Sequence, residues 1–130
     1  MRIMTAACAA AASLLLTATP ATAQMSVGEF LERAEPLRDG GLTAMLSGDL
    51  PVLRAEAMDA LAQMRAERDA RRAAGKPPLY CKPAGAPDPG VNEMIDGLER
   101  IPERQQGMPL KDGIIRVMQQ MYPCGKAARR

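Results

Sequence analysis

The sequence predicts an all-α fold, a small bundle of four helices tied together by one disulfide. Apolar residues recur every three or four positions in four separate segments, which is the spacing that places them on one face of a helix. Alternating β-branched and aromatic runs, which would indicate strands, are missing. Helices that are apolar on one stripe only must bury those stripes against each other, and this favours a bundle. A pair of cysteines, Cys81 and Cys124, supplies the covalent link.

The N-terminal residues have the order of a secretory signal peptide. Arg2 carries a positive charge, residues 3–16 form an uncharged Ala- and Leu-rich run, and small residues lead up to a cleavage position after Ala23. The apolar run is shorter than the roughly 20 residues of a bilayer-spanning helix, so no stable membrane insertion is expected. We expect residues 1–23, with Cys8 among them, to be removed during export.

Residues 24–130 have the length of a single domain, with 125–130 as a frayed basic tail. Without Arg2, the 17 basic residues fall to 16, against 15 acidic residues. This balance disfavours a nucleic-acid partner, because phosphate neutralisation requires a concentrated basic surface. An even number of cysteines in an exported chain indicates a structural disulfide between Cys81 and Cys124. A redox or metal role is the weaker interpretation, since Cys-x-x-Cys spacing and histidine are both absent.

The first helix is predicted to begin at a capping box. In this motif the Ser26 hydroxyl accepts a hydrogen bond from the Glu29 amide, and the Glu29 carboxylate reaches back to the Ser26 amide. Met25 and Phe30 flank the box as a hydrophobic staple. The two glycines at 40–41 are expected to stop this helix.

A short helical piece is predicted over residues 42–46, followed by the longest helix of the chain. Asp49 is expected to cap the long helix, and Gly75 to end it. Residues 65–72 alternate arginine with acidic residues, so we expect this end to project into water. The alternative is a site for an anionic partner. The apolar stripe of the long helix consists of Leu50, Leu53, Ala57, Ala60, Leu61 and Met64.

A connection rich in proline and glycine follows over residues 76–90 and cannot continue the helix. The Cys81 disulfide is expected to pin it. The third helix is predicted from about Val91, with either Asp88 or Asn92 as its cap.

Pro102 should end the third helix, and residues 103–107 are predicted to form a loop or one loose turn. Pro109 suits the first turn of a fourth helix, which Pro123 stops. The apolar face of this helix consists of Leu110, Ile114, Val117, Met118 and Met121.

The residue types disfavour catalysis. Histidine is absent, so the serines and threonines have no such base to activate them. Two carboxylate pairs, Glu29 with Glu32 and Glu99 with Glu103, lie at helical spacing, which is typical of an exposed face. We therefore predict that the protein is not an enzyme and needs no cofactor.

Methionine is abundant, and its thioether can bind Cu(I). Most of these residues fall on the apolar stripes, where methionine fills gaps in a core poor in aromatic residues. Only Met118 and Met121 are close enough in sequence to share an ion, so core packing is favoured and no metal site is predicted. Tyr80 and Tyr122 flank the half-cystines and are expected to pack on the disulfide. The alternative for the two rings is a paired anchor on a partner surface.

Three motifs between Cys81 and Cys124 resemble the Rap/Tai family of periplasmic immunity proteins. They are the Cys-x-Pro-x-Gly segment at 81–85, the Ile-Pro-Glu-Arg segment at 101–104 and the closing Met-Tyr-Pro-Cys at 121–124. The resemblance implies an HdeA-like helical domain with Cys81 bonded to Cys124. Family members commonly carry a further cysteine pair in the first half, whereas residues 24–80 contain none here.

The resemblance also implies a periplasmic protein that binds and inhibits a cell-wall amidase delivered by a type VI secretion system. The partner is then a protein, and a homodimer is compatible with the sequence. Loops on a pinned scaffold can enter an enzyme cleft, so we predict partner contact by Arg104, Gln105, Gln106, Gly107 and Met108. The alternative function is a periplasmic chaperone or an envelope stress and assembly factor that exposes its Met-rich faces to clients.

Overall fold

Residues 24–125, which the computed structural model describes, fold into α-helices joined by turns and one long connection. The predicted signal peptide at 1–23, with Cys8, and residues 126–130 of the predicted frayed tail lie outside the described residues. The all-α prediction is confirmed, and the short piece predicted over 42–46 is a single helical turn. The helices are α1 (Val27–Asp39), α2 (Gly41–Ala44), α3 (Asp49–Ala73), α4 (Val91–Glu99) and α5 (Leu110–Met121), with a 3-10 turn at Glu103–Gln105.

One of the two hydrogen bonds of the predicted capping box forms at the start of α1. The Ser26 hydroxyl accepts a hydrogen bond from the Glu29 amide at 3.2 Å. The Glu29 carboxylate does not return the contact to Ser26 and instead accepts from Arg33 one turn further along at 3.0 Å. Met25 is buried and packs with Phe30, so the predicted hydrophobic staple is confirmed.

The predicted cap of α3 is wrong by position. Asp49 is the first residue of the helix, and Gly48 occupies the cap position without a side-chain hydrogen bond. The Ser47 hydroxyl, two residues earlier, accepts from the Asp49 amide at 3.2 Å. The polar group that satisfies this helix end is therefore a serine oxygen rather than the aspartate carboxylate.

Both candidate caps of α4 are also wrong. Gly90 occupies the cap position, and no side chain accepts a hydrogen bond there. Asp88 instead accepts from the Lys82 ammonium at 2.5 Å, within the long connection. Asn92 lies inside the helix, one residue after its start.

The core lies where α5 meets α3, α4 and α1. Leu110, Ile114, Val117 and Met118 of α5 are all buried, as the predicted stripe requires. Gly113 allows α1 to approach α5, because a side chain at this position would collide with Val27. The other buried apolar residues of this cluster are Val27, Ala60, Met64, Leu98, Ile101 and Ile115.

Charged side chains join helices that are distant in sequence. Arg38 of α1 donates to Glu99 at 2.5 Å and to Asp96 at 3.0 Å on α4. The hydrogen bond to Glu99 is the main reason that the pKa of the Arg38 guanidinium is raised. Lys111 of α5 pairs with Glu67 of α3 at 2.8 Å. These pairs orient the helices around the core.

A short antiparallel pairing ties the start of α1 to the start of α5. The Val27 amide donates to the Met108 carbonyl at 3.0 Å, and the Leu110 amide donates to the Met25 carbonyl at 2.9 Å. The helical periodicity does not predict this pairing, because it joins two non-helical segments more than 80 residues apart. It closes the bundle at the end where the described chain begins.

The predicted disulfide is confirmed. The sulfur atoms of Cys81 and Cys124 are bonded at 2.01 Å, and the bond links the long connection to the end of α5. Among the described helices, none combines the length and the apolar character of a membrane span.

Candidate binding groove

An apolar groove of about 450 Å³ opens between α3, α4 and the connection at residues 76–90, hereafter the connector. Its floor reaches the core of the bundle, since Leu110 and Leu98 are almost fully buried and both line it. The floor also contains Met64 and Met118, whose flexible side chains adapt readily to a bound group. This volume lies within the range of specific ligand sites, which are typically apolar with a few polar groups.

Positive charge gathers at one end of the apolar groove. Arg65 and Arg68 of α3 line this end together with Lys82 of the connector, and we call these three residues the basic end. The Asp88 carboxylate lies among them. Its hydrogen bond to Lys82, followed by the charges of Lys82 and Arg65, lowers the pKa of Asp88. Arg68 pairs with the neighbouring Asp69 at 3.3 Å, so three cations stand against two carboxylates, and the balance favours an anionic group.

The basic end continues into a neighbouring cavity of about 600 Å³. Arg68, Lys82 and Asp88 line both spaces, and Arg72 extends the positive charge one turn further along α3. The two cavities therefore form one surface that is apolar at one end and cationic at the other.

The connector forms a fixed wall of the groove. Beside the disulfide, the Cys81 amide donates to the Tyr122 carbonyl at 2.9 Å. The Tyr122 hydroxyl donates to the Pro87 carbonyl at 2.7 Å, and Gln119 donates to the Leu79 carbonyl at 3.1 Å. Four links to the end of α5 hold this proline-rich stretch in place, so the groove is organised before anything binds.

Comparison of the chain with protein-family models, with curated proteins and with solved structures found no match.

The composition of residues 65–72 predicts that this end of α3 projects into water, but one of its faces is covered in the structure. Glu67 pairs with Lys111 of α5, and the Arg71 guanidinium donates to the Pro77 carbonyl at 2.9 Å. One face of this segment therefore packs against α5 and the connector, while Asp69 on the other face is exposed. The connector folds back along α3, and this long-range contact brings the arginines to the groove.

The aromatic residues beside the disulfide have separate positions. Tyr80 is half-buried and lines the apolar groove next to the basic end. Tyr122 is half-buried at the end of α5, where its hydroxyl holds the connector. Tyr80 is thus the aromatic side chain of this pair that a bound group would meet.

The predicted partner-contact segment, residues 104–108, lies away from the apolar groove. The Gln106 and Met108 carbonyls accept from the first amides of α1, and the Gln105 side chain accepts from Arg116. The Gln106 amide group also donates to the Ile101 carbonyl at 2.9 Å. The other two members, Arg104 and Gly107, are exposed. Most of this segment therefore serves to join α1 to α5.

Most of the described methionines follow the core-packing interpretation, whereas Met45 and Met58 are exposed. Met64 and Met118 are buried, and Met121 packs against the same core. Within residues 24–125, no group of three or more His, Cys, Asp and Glu side chains is placed to hold a metal ion.

A second apolar surface lies at the turn between α1 and α3. Leu42, Met45 and Leu46 are 71% to 88% exposed, although all three are large apolar residues. Exposed apolar groups that lie together mark candidate interaction sites. The periodicity predicts a helical turn here and gives no reason for its exposure.

Proposed function

We propose that this protein is an exported helical binding protein of immunity type, which binds a cell-wall amidase and blocks it. The single observation that carries the proposal is a preformed apolar groove with one wall clamped by the Cys81–Cys124 disulfide. A rigid surface of this kind loses little conformational entropy when a partner docks, and this favours tight binding.

The periplasm is the proposed site of action. The signal-peptide pattern of residues 1–23 supports export, and a disulfide persists in the oxidising compartment that such a signal reaches. The motifs shared with the Rap/Tai family between Cys81 and Cys124 support an immunity role there. In this proposal the protein acts by occupying a surface of the toxin.

The test is expression of the full chain in a bacterium, followed by purification from the periplasmic extract. Mass spectrometry should find cleavage after Ala23 and both remaining cysteines oxidised. The purified protein is then mixed with candidate amidases, above all any that is encoded beside it. Complex formation and inhibition of peptidoglycan cleavage are expected. A cytosolic product with an intact leader, or the absence of an inhibitory complex, would count against the proposal.

A matched pair of variants connects inhibition to the groove. Leu61→Arg places a charge in the apolar groove and should abolish inhibition, because Leu61 lines it. Arg54→Glu also changes a charge on α3, but at an exposed position outside the groove, and should leave inhibition intact. Equal inhibition by both variants would place the toxin contact elsewhere.

The exposed turn at 42–46 favours a second candidate function, a periplasmic chaperone or assembly factor. Leu42, Met45 and Leu46 present apolar side chains of the kind that bind unfolded clients. Under this function the protein suppresses aggregation of several unrelated denatured proteins, and a Leu42→Ser/Leu46→Ser variant loses the effect. Suppression that strengthens at acidic pH, where the helices loosen, distinguishes it from inhibition of one toxin.

A further inference from the structure

We infer that the apolar groove binds an amphipathic α-helix of the partner, with acidic side chains beside Arg65, Arg68 and Lys82. This inference rests on the proposed function and specifies the chemistry of the partner surface. It combines the shape of the groove, the exposure of its α4 edge and the charge of one end.

The shape of the groove suits a helix. On α3 its wall extends over twelve residues from Ala57 to Arg68, which is about 16 Å at the rise of an α-helix, or three turns. The opposite wall includes Val91, Met94 and Ile95 of α4. An amphipathic helix lies in such a groove with apolar anchors at every third or fourth residue. An extended segment is less suitable, because helical walls offer no row of unpaired backbone groups.

The α4 edge of the groove favours a macromolecule over a small ligand. Val91, which lines the groove at this edge, is 78% exposed. A small molecule seated on the floor would leave this side chain in water. A helix wider than the groove covers it, which removes additional apolar area from water.

The positive charge at one end of the groove determines the sign of the charge that a partner helix carries there. Three cations of the basic end stand against the carboxylates of Asp88 and of Asp69, which pairs with Arg68 at 3.3 Å, and Arg72 adds a further positive charge nearby. Acidic side chains there gain attraction from these cations, whereas basic ones meet repulsion. The partner helix is therefore acidic at the end that lies next to Lys82.

The experiment is peptide selection on the purified full-length protein, with a phage library of amphipathic helices randomised at their charged positions. The wild-type protein should enrich Glu and Asp at one end of the helix. Arg65→Glu/Arg68→Glu should enrich Lys and Arg instead, and should bind the wild-type peptide about tenfold more weakly, since two charge pairs are lost. The control Arg54→Glu should select like the wild type.

Circular dichroism and urea denaturation confirm that each variant is folded. If the double variant does not fold, Arg65→Glu alone provides the test, because Arg65 is exposed. Selection without a charge preference, or one that the reversal leaves unchanged, overturns the inference. Stoichiometric binding of dodecanoate with no peptide enriched also overturns it, in favour of a small amphiphilic anion.

The proposed function and this inference can fail separately. An amidase complex that the selected peptide does not displace overturns the inference and leaves the immunity role standing. Peptides with the expected charge preference, combined with no amidase inhibited, overturn the immunity role and leave the groove chemistry standing.

Discussion

Gly97 of α4 lies so close to Val117 of α5 that a Cβ atom at position 97 would be 2.5 Å from Val117 Cγ1. The second methyl group of Val117 would be 2.9 Å away, so rotation of the valine cannot relieve the collision. Gly97→Ala should therefore lower the free energy of unfolding by about 1–2 kcal/mol, because overpacking outweighs the better helix propensity of alanine. Urea denaturation measures this change.

Gly107→Ala is the control for this substitution. No atom lies within 4 Å of a Cβ built at Gly107, so its unfolding free energy should stay within about 0.5 kcal/mol of the wild type. The double variant Gly97→Ala/Val117→Ala should lose less unfolding free energy than the two single variants lose in total, because the smaller residue at 117 makes room for the alanine at 97. Strict additivity would show that α4 and α5 do not approach as closely as described.

Removal of the disulfide tests how the connector is held. The bond closes 43 residues of chain, and Cys81→Ser/Cys124→Ser should lose about 4 kcal/mol of unfolding free energy through the entropy of the unfolded state. The Cys81 amide, which donates to Tyr122, should also exchange with deuterium faster than in the wild type. An unchanged urea midpoint in the double variant would contradict the predicted role of this bond.

Local pattern was sufficient to predict the helices, and the even number of cysteines after export was sufficient to predict the disulfide. The stripe containing Leu53, Ala60 and Met64 identifies the buried face of α3, and the same three residues are buried in the structure. Ser26 identifies the start of α1, because its hydroxyl acts on an amide only three residues away. Such features depend on neighbours in sequence, and a single chain displays them directly.

The contacts that build the groove are long-range, and the pattern could not predict them. Arg65 and Arg68 lie on a charged segment whose composition is that of a solvated helix face. They line a site because Cys81 and Pro87 of the connector are fastened to the end of α5, more than 30 residues further along the chain. The failure of Asp88 as a cap is a local effect, since Lys82, six residues earlier in the connector, donates to its carboxylate.

Stability at high pH should depend on Lys111. Its hydrogen bond to Glu67 raises the pKa of the ammonium above the ordinary 10.5, although burial opposes the shift. The folded state then holds this proton more tightly than the unfolded state, so the pair stabilises fully below about pH 10.5. That contribution is lost as the pH rises through the raised folded-state pKa.

Glu67→Gln removes the cause of the shift. The urea midpoint of this variant should lie below that of the wild type at pH 8, and the difference should shrink above pH 10.5. Glu35→Gln, which changes an exposed carboxylate on α1, should keep a constant difference over the same range. A difference between Glu67→Gln and the wild type that does not vary with pH would contradict this assignment.

The cap of α1 should contribute measurably to stability. Ser26→Ala removes the oxygen that accepts from the Glu29 amide and should cost about 1 kcal/mol of unfolding free energy. Ser26→Asp keeps an acceptor at the same position and should retain most of the wild-type stability. Unchanged stability of Ser26→Ala would indicate that Ser26 contributes through its backbone pairing with Pro109 rather than through its side chain.

Residues 104–108 allow a structural role to be separated from partner contact. Gln106→Ala loses the hydrogen bond to the Ile101 carbonyl and should cost about 1 kcal/mol of unfolding free energy. Arg104→Ala changes an exposed side chain and should leave the urea midpoint unchanged, as should the control Gln120→Ala on α5. If this segment contacts the partner, Arg104→Ala weakens the complex at constant stability. If inhibition is instead unchanged in Arg104→Ala, the segment only joins α1 to α5, and partner contact belongs to the groove.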